Sequence, residues 1–284
     1  MSEKIAVVVD STTTLPEGFL PGLEVRTAPA MIIWGGEELR DGVDIQPDAF
    51  YQRLATAKEM PSTSQATPVM FKKIYEDLLE KGYQILVVTI SSKLSGMYSS
   101  AIQAKEMFKD AAIEVVDSMT GAITVGLALS KVQEVLQAGA SLKKCRETAE
   151  NALKNTGILL TVETLEFLHR GGRIGGAQKF LASALQLKPI LEVTGGVFEG
   201  REKIRTRKKA LNRLVDLTIE QIGDRRPVEI AALHANAEEV ARELIEKVQA
   251  RIETARTVVA GVSPAVGVHL GPGTVGLAFM AGVD

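Results

Sequence analysis

Hydroxyl-rich turns recur at the ends of aliphatic runs in this chain, and they hold the residues best suited to chemistry. Asp10-Ser11-Thr12-Thr13 follows Ile5–Val9, Ser91-Ser92-Lys93-Leu94-Ser95-Gly96 follows Gln84–Ile90, and Asp117-Ser118 follows Ile113–Val116. One such turn alone reads as a helix N-cap, because Ser, Thr and Asp accept from the free N–H groups of a first helical turn. Three at the carboxyl ends of strands are expected to meet in one crevice, the usual ligand position of α/β sheets. Hydroxyls combined with the N–H groups that open a helix at Met97 suit a carboxylate or phosphate and require no catalytic base. A fourth cluster, Pro61-Ser62-Thr63-Ser64-Gln65, is expected to be a loop before the cap residue Thr67, which leaves Thr63 and Ser64 surplus to capping. Near the other end, His269 sits in a segment from Ser263 to Gly273 so rich in Gly and Pro that a tightly bent loop is expected. A lone His among apolar residues is ordinarily structural, but one flanked by glycines on a bent loop reads as a ligand contact.

Other chemistries are poorly served. Gly271-x-Gly273-x-x-Gly276 matches a dinucleotide-binding string, yet it contains Pro272 and has no helix or βαβ unit after it. There is no phosphate-binding Gly-x-x-x-x-Gly-Lys loop, no His-Glu-x-x-His and no Gly-x-Ser-x-Gly elbow, and the three histidines, His169, His234 and His269, are widely scattered. No metal site is expected. Cys145 is the one cysteine, which excludes an internal disulfide and permits a reducing compartment. Lys+Arg at 33 against Asp+Glu at 35 gives a formal charge of -2, so no global field draws the chain to nucleic acid. The basic run Arg201, Lys203, Arg205, Arg207, Lys208 and Lys209 lacks interleaved aromatics and reads mostly as a solvated helix start.

These turns need a scaffold, and the 284 residues are enough for one or two α/β domains. Ile5–Val9, Gln84–Ile90, Ile113–Val116 and Gly157–Val162 read as buried strands; Ile5–Val9 is too short for the core of a signal peptide. Helices are expected from Pro68, capped by Thr67 and stopped at Gly82, then over 97–108, 122–137 and 141–154. The first half is therefore β/α with a mostly parallel sheet. A boundary near 155–157 divides the chain into 1–156 and 157–284. Beyond it, short helices over 163–170 and 176–187, a strand pair around Thr194-Gly195-Gly196, helices over 207–222 and 237–251, and strands over 228–233, 258–261 and 275–279 are expected. The segment 257–283 has no Asp, Glu, Lys or Arg, but its glycines and prolines favour two short strands around a tight loop over a membrane helix.

The ordered blocks Val8-Val9-Asp10-Ser11, Thr63-Ser64-Gln65, Ile90-Ser91-Ser92 with Leu94-Ser95-Gly96, Leu165-Glu166-Phe167-Leu168 with Gly171-Gly172-Arg173, Lys188-Pro189-Ile190-Leu191, Arg205-Thr206-Arg207 and His269-Leu270-Gly271-Pro272-Gly273 resemble the DegV family of bacterial fatty-acid-binding proteins over essentially the whole chain. The resemblance implies two α/β domains with a lipid-binding crevice between them and a buried long-chain fatty acid, such as palmitate, as the bound molecule. Its carboxylate would be held by the hydroxyls of Thr63 and Ser95 with His269 beside it, Ser64 and Gly96 belonging to the same two blocks. The resemblance also implies a partner, a fatty acid kinase that phosphorylates the presented carboxylate to an acyl phosphate, and a cytoplasmic carrier that takes its cargo from water or by transient contact with a membrane. Two departures stand out: Met97 where threonine is common after Ser-Gly, and Ala66 where proline often follows Thr-Ser-Gln.

Burial of an acyl chain is worth about 0.8 kcal/mol per CH₂, so walls of Leu, Ile, Val, Ala and Met suffice, as an aromatic content of 5% requires. Phe180–Leu187 is a candidate wall, with an ordinary core helix as its plainer reading. Arg173 and Arg205 are the candidates for a cationic rim facing a phosphate-handling partner, by analogy with the family. The rival function is a serine hydrolase of small esters or acyl phosphates with Ser95 as nucleophile and His269 as base. Asp10 and Asp117 are the available third members, although both are explained as turn residues.

Overall fold

Aliphatic residues in unbroken succession demand cover on both faces of a strand, and Ala6 to Val9 are all at 0% exposure in the computed structural model. The structure describes residues 4–283, with the side chains of 182–186 outside that description. In chain order the elements are β1 (Lys4–Asp10), β2 (Val25–Ala28), β3 (Met31–Trp34), β4 (Glu37–Arg40), α1 (Pro47–Ala55), β5 (Ser62–Ser64), α2 (Pro68–Glu80), β6 (Tyr83–Thr89), α3 (Met97–Lys105), β7 (Ile113–Asp117), α4 (Ile123–Gln137) and α5 (Leu142–Lys154). They continue as β8 (Thr156–Thr161), α6 (Glu166–Arg170), a 3-10 segment (Gly175–Gln186), β9 (Lys188–Thr194), β10 (Val197–Ile204), α7 (Arg207–Ile222), β11 (Val228–His234), α8 (Glu238–Gln249), β12 (Arg256–Gly261), α9 (Pro264–Leu270) and β13 (Val275–Ala281).

The first sheet has the order β2-β1-β6-β7 with every pair parallel. Helices α2, α3 and α5 pack on it, and α4 packs along α5. Thr67 caps α2 as the sequence predicts, its hydroxyl accepting from the Met70 N–H. A six-stranded sheet of order β10-β9-β8-β13-β11-β12 follows, in which only β11 and β12 run parallel. In β13 the side chains alternate: Val275, Leu277, Phe279 and Ala281 join the core under α7 and α8, whereas Ala278 and Met280 join the core that contains α4. Every residue from Ile123 to Gln133 of α4 is buried, because this helix packs along α5 and also against β8, β11 and β13. Through α5, which packs on β6 and β7, it links the two sheets, and its first eight residues carry no charge.

A third, antiparallel sheet, β4-β3-β5, was not foreseen by the sequence reading, nor were β2 and α1. Its strands have four, four and three residues, too few for alternation to declare itself. The segment 62–64, expected as loop, is its edge strand. The bent loop expected over 263–273 contains α9, whose start repeats the signal read at Thr67-Pro68: Ser263 accepts from the Val266 N–H and Pro264 holds the first helical position. The two flanking strands are as expected, and among the described residues no helix is long and apolar enough to cross a membrane. Arg201 and Lys203, expected at a helix start, lie on β10 because that strand runs on to Ile204.

Leu127 is at 0% exposure at the centre of α4. Leu127→Ala should destabilise the protein by about 3 kcal/mol. Because α4 lies between the six-stranded sheet and α5, which covers the first, far-UV circular dichroism and Trp34 fluorescence should still report one coincident transition; two separated transitions would contradict this placement of α4.

Candidate functional site

Thr63 is fixed by the register of β5 on β3, in which it stands opposite Ile32. His269 arrives from 206 residues away on α9, and its Nε2 lies 2.7 Å from Thr63 Oγ1, a hydrogen bond whose direction follows the imidazole tautomer. The ring fits only because position 171 is glycine: a Cβ there would lie 2.1 Å from His269 Nδ1. That nitrogen is buried and has no protein partner. Burial first, and the nearby Arg173 charge second, hold the imidazole down to about 4, so it is neutral at physiological pH.

Around this pair is a cavity of about 80 Å³, against the roughly 10–15 Å³ that one ordered water needs. Its apolar lining is Ala30, Ile90, Leu94, Met97, Phe198, Ala265, Val266 and Leu270; its polar lining is Thr12, Thr63, Ser64, Gln65, Ser95, Arg173 and His269. One fixed cation and no carboxylate therefore face the space, a balance that favours an anion. Arg173 Nε donates to Leu94 O at 3.1 Å and Nη1 to Gly171 O at 2.6 Å, so the guanidinium is tied to the turn that carries Ser95. Thr63, Arg173 and His269 also line a surface recess of about 310 Å³ with Met60, Pro61, Ser62, Phe167, Arg170, Gly171 and Val268. Thr63, Arg173 and His269 thus face both spaces.

The turns around the cavity are held by charge and backbone. Asp10, wholly buried, accepts from the N–H and hydroxyl of Thr12 and from Ile90 N–H at 2.6 Å, which joins the turns after β1 and β6. Ser91 Oγ donates to Gly196 O at 2.8 Å, pinning the β9–β10 turn over the same region. Gly96 opens α3 without a side-chain cap and lies against Gln65. Ser95 is half-buried and Ser64 exposed at the lining. The two unusual residues are partners: Met97 Sδ accepts from Ala66 N–H at 3.3 Å, a donor that a proline would not supply.

Two of the three expected turns meet here, and the third does not. Asp117 and Ser118 line a separate recess with Tyr98 and Arg146, because β7 lies at the sheet edge beyond β6. Asp117 accepts from Ser92 N–H and Met119 N–H. Neither Asp10 nor Asp117 is bonded to His269, and the histidine's bonded partner is Thr63 rather than Ser95. Arg205 is exposed between β10 and α7 and is outside the cavity lining, whereas Arg173 is within it. Of the Phe180–Leu187 stretch, residues 182–186 have side chains outside the described set, and Phe180 packs in a core with Phe198 and Leu191. Among the described residues no group of His, Cys, Asp or Glu is placed to hold a metal.

Asp41 escaped the sequence reading. It is 1% exposed, its Oδ2 accepts from Ser11 Oγ at 2.6 Å, and its Oδ1 accepts from Ala265 N–H at 3.2 Å. Burial pushes this carboxyl up to about 6 against the opposing hydrogen bonds. The Asp41-Gly42 pair signals a turn, but nothing local announces a partner on α9.

A family model described as an uncharacterised protein of the DegV family matches residues 4–282. A DegV domain-containing protein of Caldanaerobacter subterraneus is 31% identical, covering 98% of this chain and 99% of that one. A fatty-acid-binding DegV-family protein of Thermus thermophilus superimposes with a TM-score of 0.92 at 32% identity, over 98% of this chain and 99% of the other. DegV of Bacillus subtilis, a fatty acid binding protein, does so with a TM-score of 0.86 at 32% identity, over 99% and 100%.

The two shifted groups have opposite effects on stability. Between about pH 4 and 6.5 the unfolded chain carries a proton on His269 that the folded chain does not, so the histidine makes stability rise with pH. Between about pH 3.8 and 6 the folded chain keeps a proton on Asp41 that the unfolded chain has lost, so the aspartate makes stability fall with pH. Chemical denaturation at closely spaced pH values should therefore show a steeper rise in Asp41→Asn and a flatter one in His269→Asn than in the unaltered protein. Superimposable profiles would contradict both assignments.

Proposed function

The chain belongs to the DegV family, and from that premise we propose that it binds one long-chain fatty acid, such as palmitate, in the cavity lined by Thr63 and His269. The carboxylate accepts from the hydroxyls of Thr63 and Ser95 beside the neutral His269, with Ser64 and Gly96 shaping the same turns. The observation that carries this reading is the composition of the cavity: hydroxyls, one imidazole and one cation among mainly aliphatic residues, and no acid. Aliphatic burial supplies the affinity at about 0.8 kcal/mol per CH₂, and the head group needs only enough donors to avoid an unsatisfied buried charge. Binding of fatty acids by the Thermus thermophilus and Bacillus subtilis relatives supports the same ligand class.

The finer reading is a carrier without catalysis of its own. It offers the carboxylate to a fatty acid kinase, which forms an acyl phosphate. The adjoining recess supports that access, because Thr63 and His269 line it as well as the cavity. Arg205, exposed and outside the lining, suits a docking cation, whereas Arg173 reaches both the cavity and the recess. A bacterial cytoplasmic location with transient membrane contact fits this role. A division at 1–156 and 157–284 is supported by the start of the six-stranded sheet at Thr156.

Solvent extraction of the purified protein followed by mass spectrometry should find fatty acid near one per chain, and protein free of lipid would overturn the reading. Thr63→Ala and Ser95→Ala should each weaken binding by about 1.5–3 kcal/mol, with the double variant weaker than either. Charge reversal at Arg205 should leave lipid content unchanged and slow acyl-phosphate formation by the kinase, mainly through association. Reversal at Arg173 should cost lipid as well; lipid loss in the Arg205 variant alone would refute this division of labour.

A further inference from the structure

We infer that Asp41 is a positioning residue for the head-group site: its buried carboxylate fastens α9, and with it His269, to the sheet that carries Thr63. The inference rests on the reading that His269 meets the bound carboxylate, and deepens it by naming what holds the histidine there.

Alone, α9 is a poor helix. It has seven residues, among them Pro264, Gly267 and two valines, far below the length at which a helix persists without tertiary support. Both of its neighbours in sequence, β12 and β13, belong to the six-stranded sheet, yet the helix itself packs on α6 and on β3, β5 and α1, the last three from the first half of the chain. Its first N–H groups are each accounted for. Pro264 has none, Ala265 donates to Asp41 Oδ1, Val266 to Ser263 Oγ, and Gly267 to Ser263 O. Asp41 is the one of these acceptors that comes from outside the α9 segment. Its other oxygen is anchored by Ser11, whose hydroxyl in turn accepts from Ala30 N–H at 2.9 Å.

The geometry transmits directly to the site. Ala265 and His269 are four residues apart, one helical turn, so the restraint applied at Ala265 acts on the face that carries the imidazole. One turn is too short to absorb a shift by bending. On the facing side α1 presses so closely that a Cβ at Gly267 would lie 2.6 Å from Tyr51 Oη, which leaves α9 no room to settle differently on that face. A carboxylate in this position therefore decides whether Nε2 meets Thr63 or drifts from it. The ionisable groups facing Asp41 and His269 are Asp10, Tyr51 of α1 and Arg173, and all stay unaltered in the test.

The test is a double-mutant cycle in the full-length protein, with a fluorescent long-chain fatty acid as the probe. Asp41→Ala should weaken binding about tenfold when His269 is present and less than about twofold in the His269→Asn background, because the aspartate acts through the histidine. Asp41→Asn keeps an acceptor for Ala265 N–H and should restore binding to within about twofold of the unaltered protein. Nuclear magnetic resonance of the imidazole supplies a readout that a merely structural role would leave alone: in Asp41→Ala the His269 midpoint should move up from about 4 toward the ordinary 6.5 as the ring leaves its buried place. Equal losses in both backgrounds, or an imidazole midpoint that stays near 4, would overturn the inference. If Asp41→Ala does not fold, Ser263→Ala is read by the same criteria, since it removes a second hydroxyl that bonds Asp41 and the Val266 N–H. If His269→Asn binds the probe as tightly as the unaltered protein, the head-group reading fails, and the imidazole midpoint still decides the role of Asp41.

Discussion

Two residues 206 positions apart must come within hydrogen-bonding distance, and the rest of the molecule is arranged around the bond between Thr63 and His269. Thr63 has its place because a three-residue edge strand pairs with β3. His269 has its place because a seven-residue helix leaves the second sheet and packs between α6 and elements of the first half. Gly171 clears space for the imidazole, Gly267 for the approach of α1, and Asp41 meets the opening turn of the helix. The helix α4, buried from Ile123 to Gln133, links the two sheets through α5, and so keeps the distance between the two ends of this bond.

Electrostatics then explains why a neutral ring suits such a position. Burial and the Arg173 charge keep His269 unprotonated, so the cavity presents one fixed cation, hydroxyls and an imidazole rather than two competing charges. An anion entering it gains hydrogen bonds without meeting an acid. Asp10, the carboxylate next to the lining residue Thr12, is consumed by backbone N–H groups and the Thr12 hydroxyl. The pairing of Met97 with Ala66 follows the same economy of polar groups: where a proline would supply no N–H, alanine supplies one, and the thioether accepts it.

Long periodic elements are legible in the amino-acid order, and so are several of the residues that line the cavity. The buried strands declare themselves by unbroken aliphatic runs, α2 by Thr67-Pro68 and Gly82, and α7 by amphipathic spacing over 207–222. Hydroxyls surplus to capping at Thr63 and Ser64, and the turn before Met97, are suited to an anion on residue type alone, whereas the pairing of Thr63 with Ser95 comes from the family resemblance. What escaped was short or non-local. The strands β2 to β5 are too brief to show a period, and α9 hides its cap signal inside a glycine-rich tract. The turn at Asp117 was grouped with the other two because strand order cannot be read from one chain: β7 lies at an edge, one strand further from β1 than β6. Asp41 had no signal at all, because its partners Ser11 and Ala265 are 30 and 224 residues away.

The central claim is that a fatty acid carboxylate sits inside the protein against Thr63 and His269. Carbon-13 resonance of palmitate labelled at its carboxyl carbon, bound to the unaltered protein and titrated with acid, tests it directly. A buried head group should give one narrow signal, distinct from free or micellar fatty acid, that barely moves between pH 8 and 5 and is displaced in Thr63→Ala. A signal that titrates like free fatty acid and is untouched by that substitution would place the carboxylate elsewhere and contradict the account.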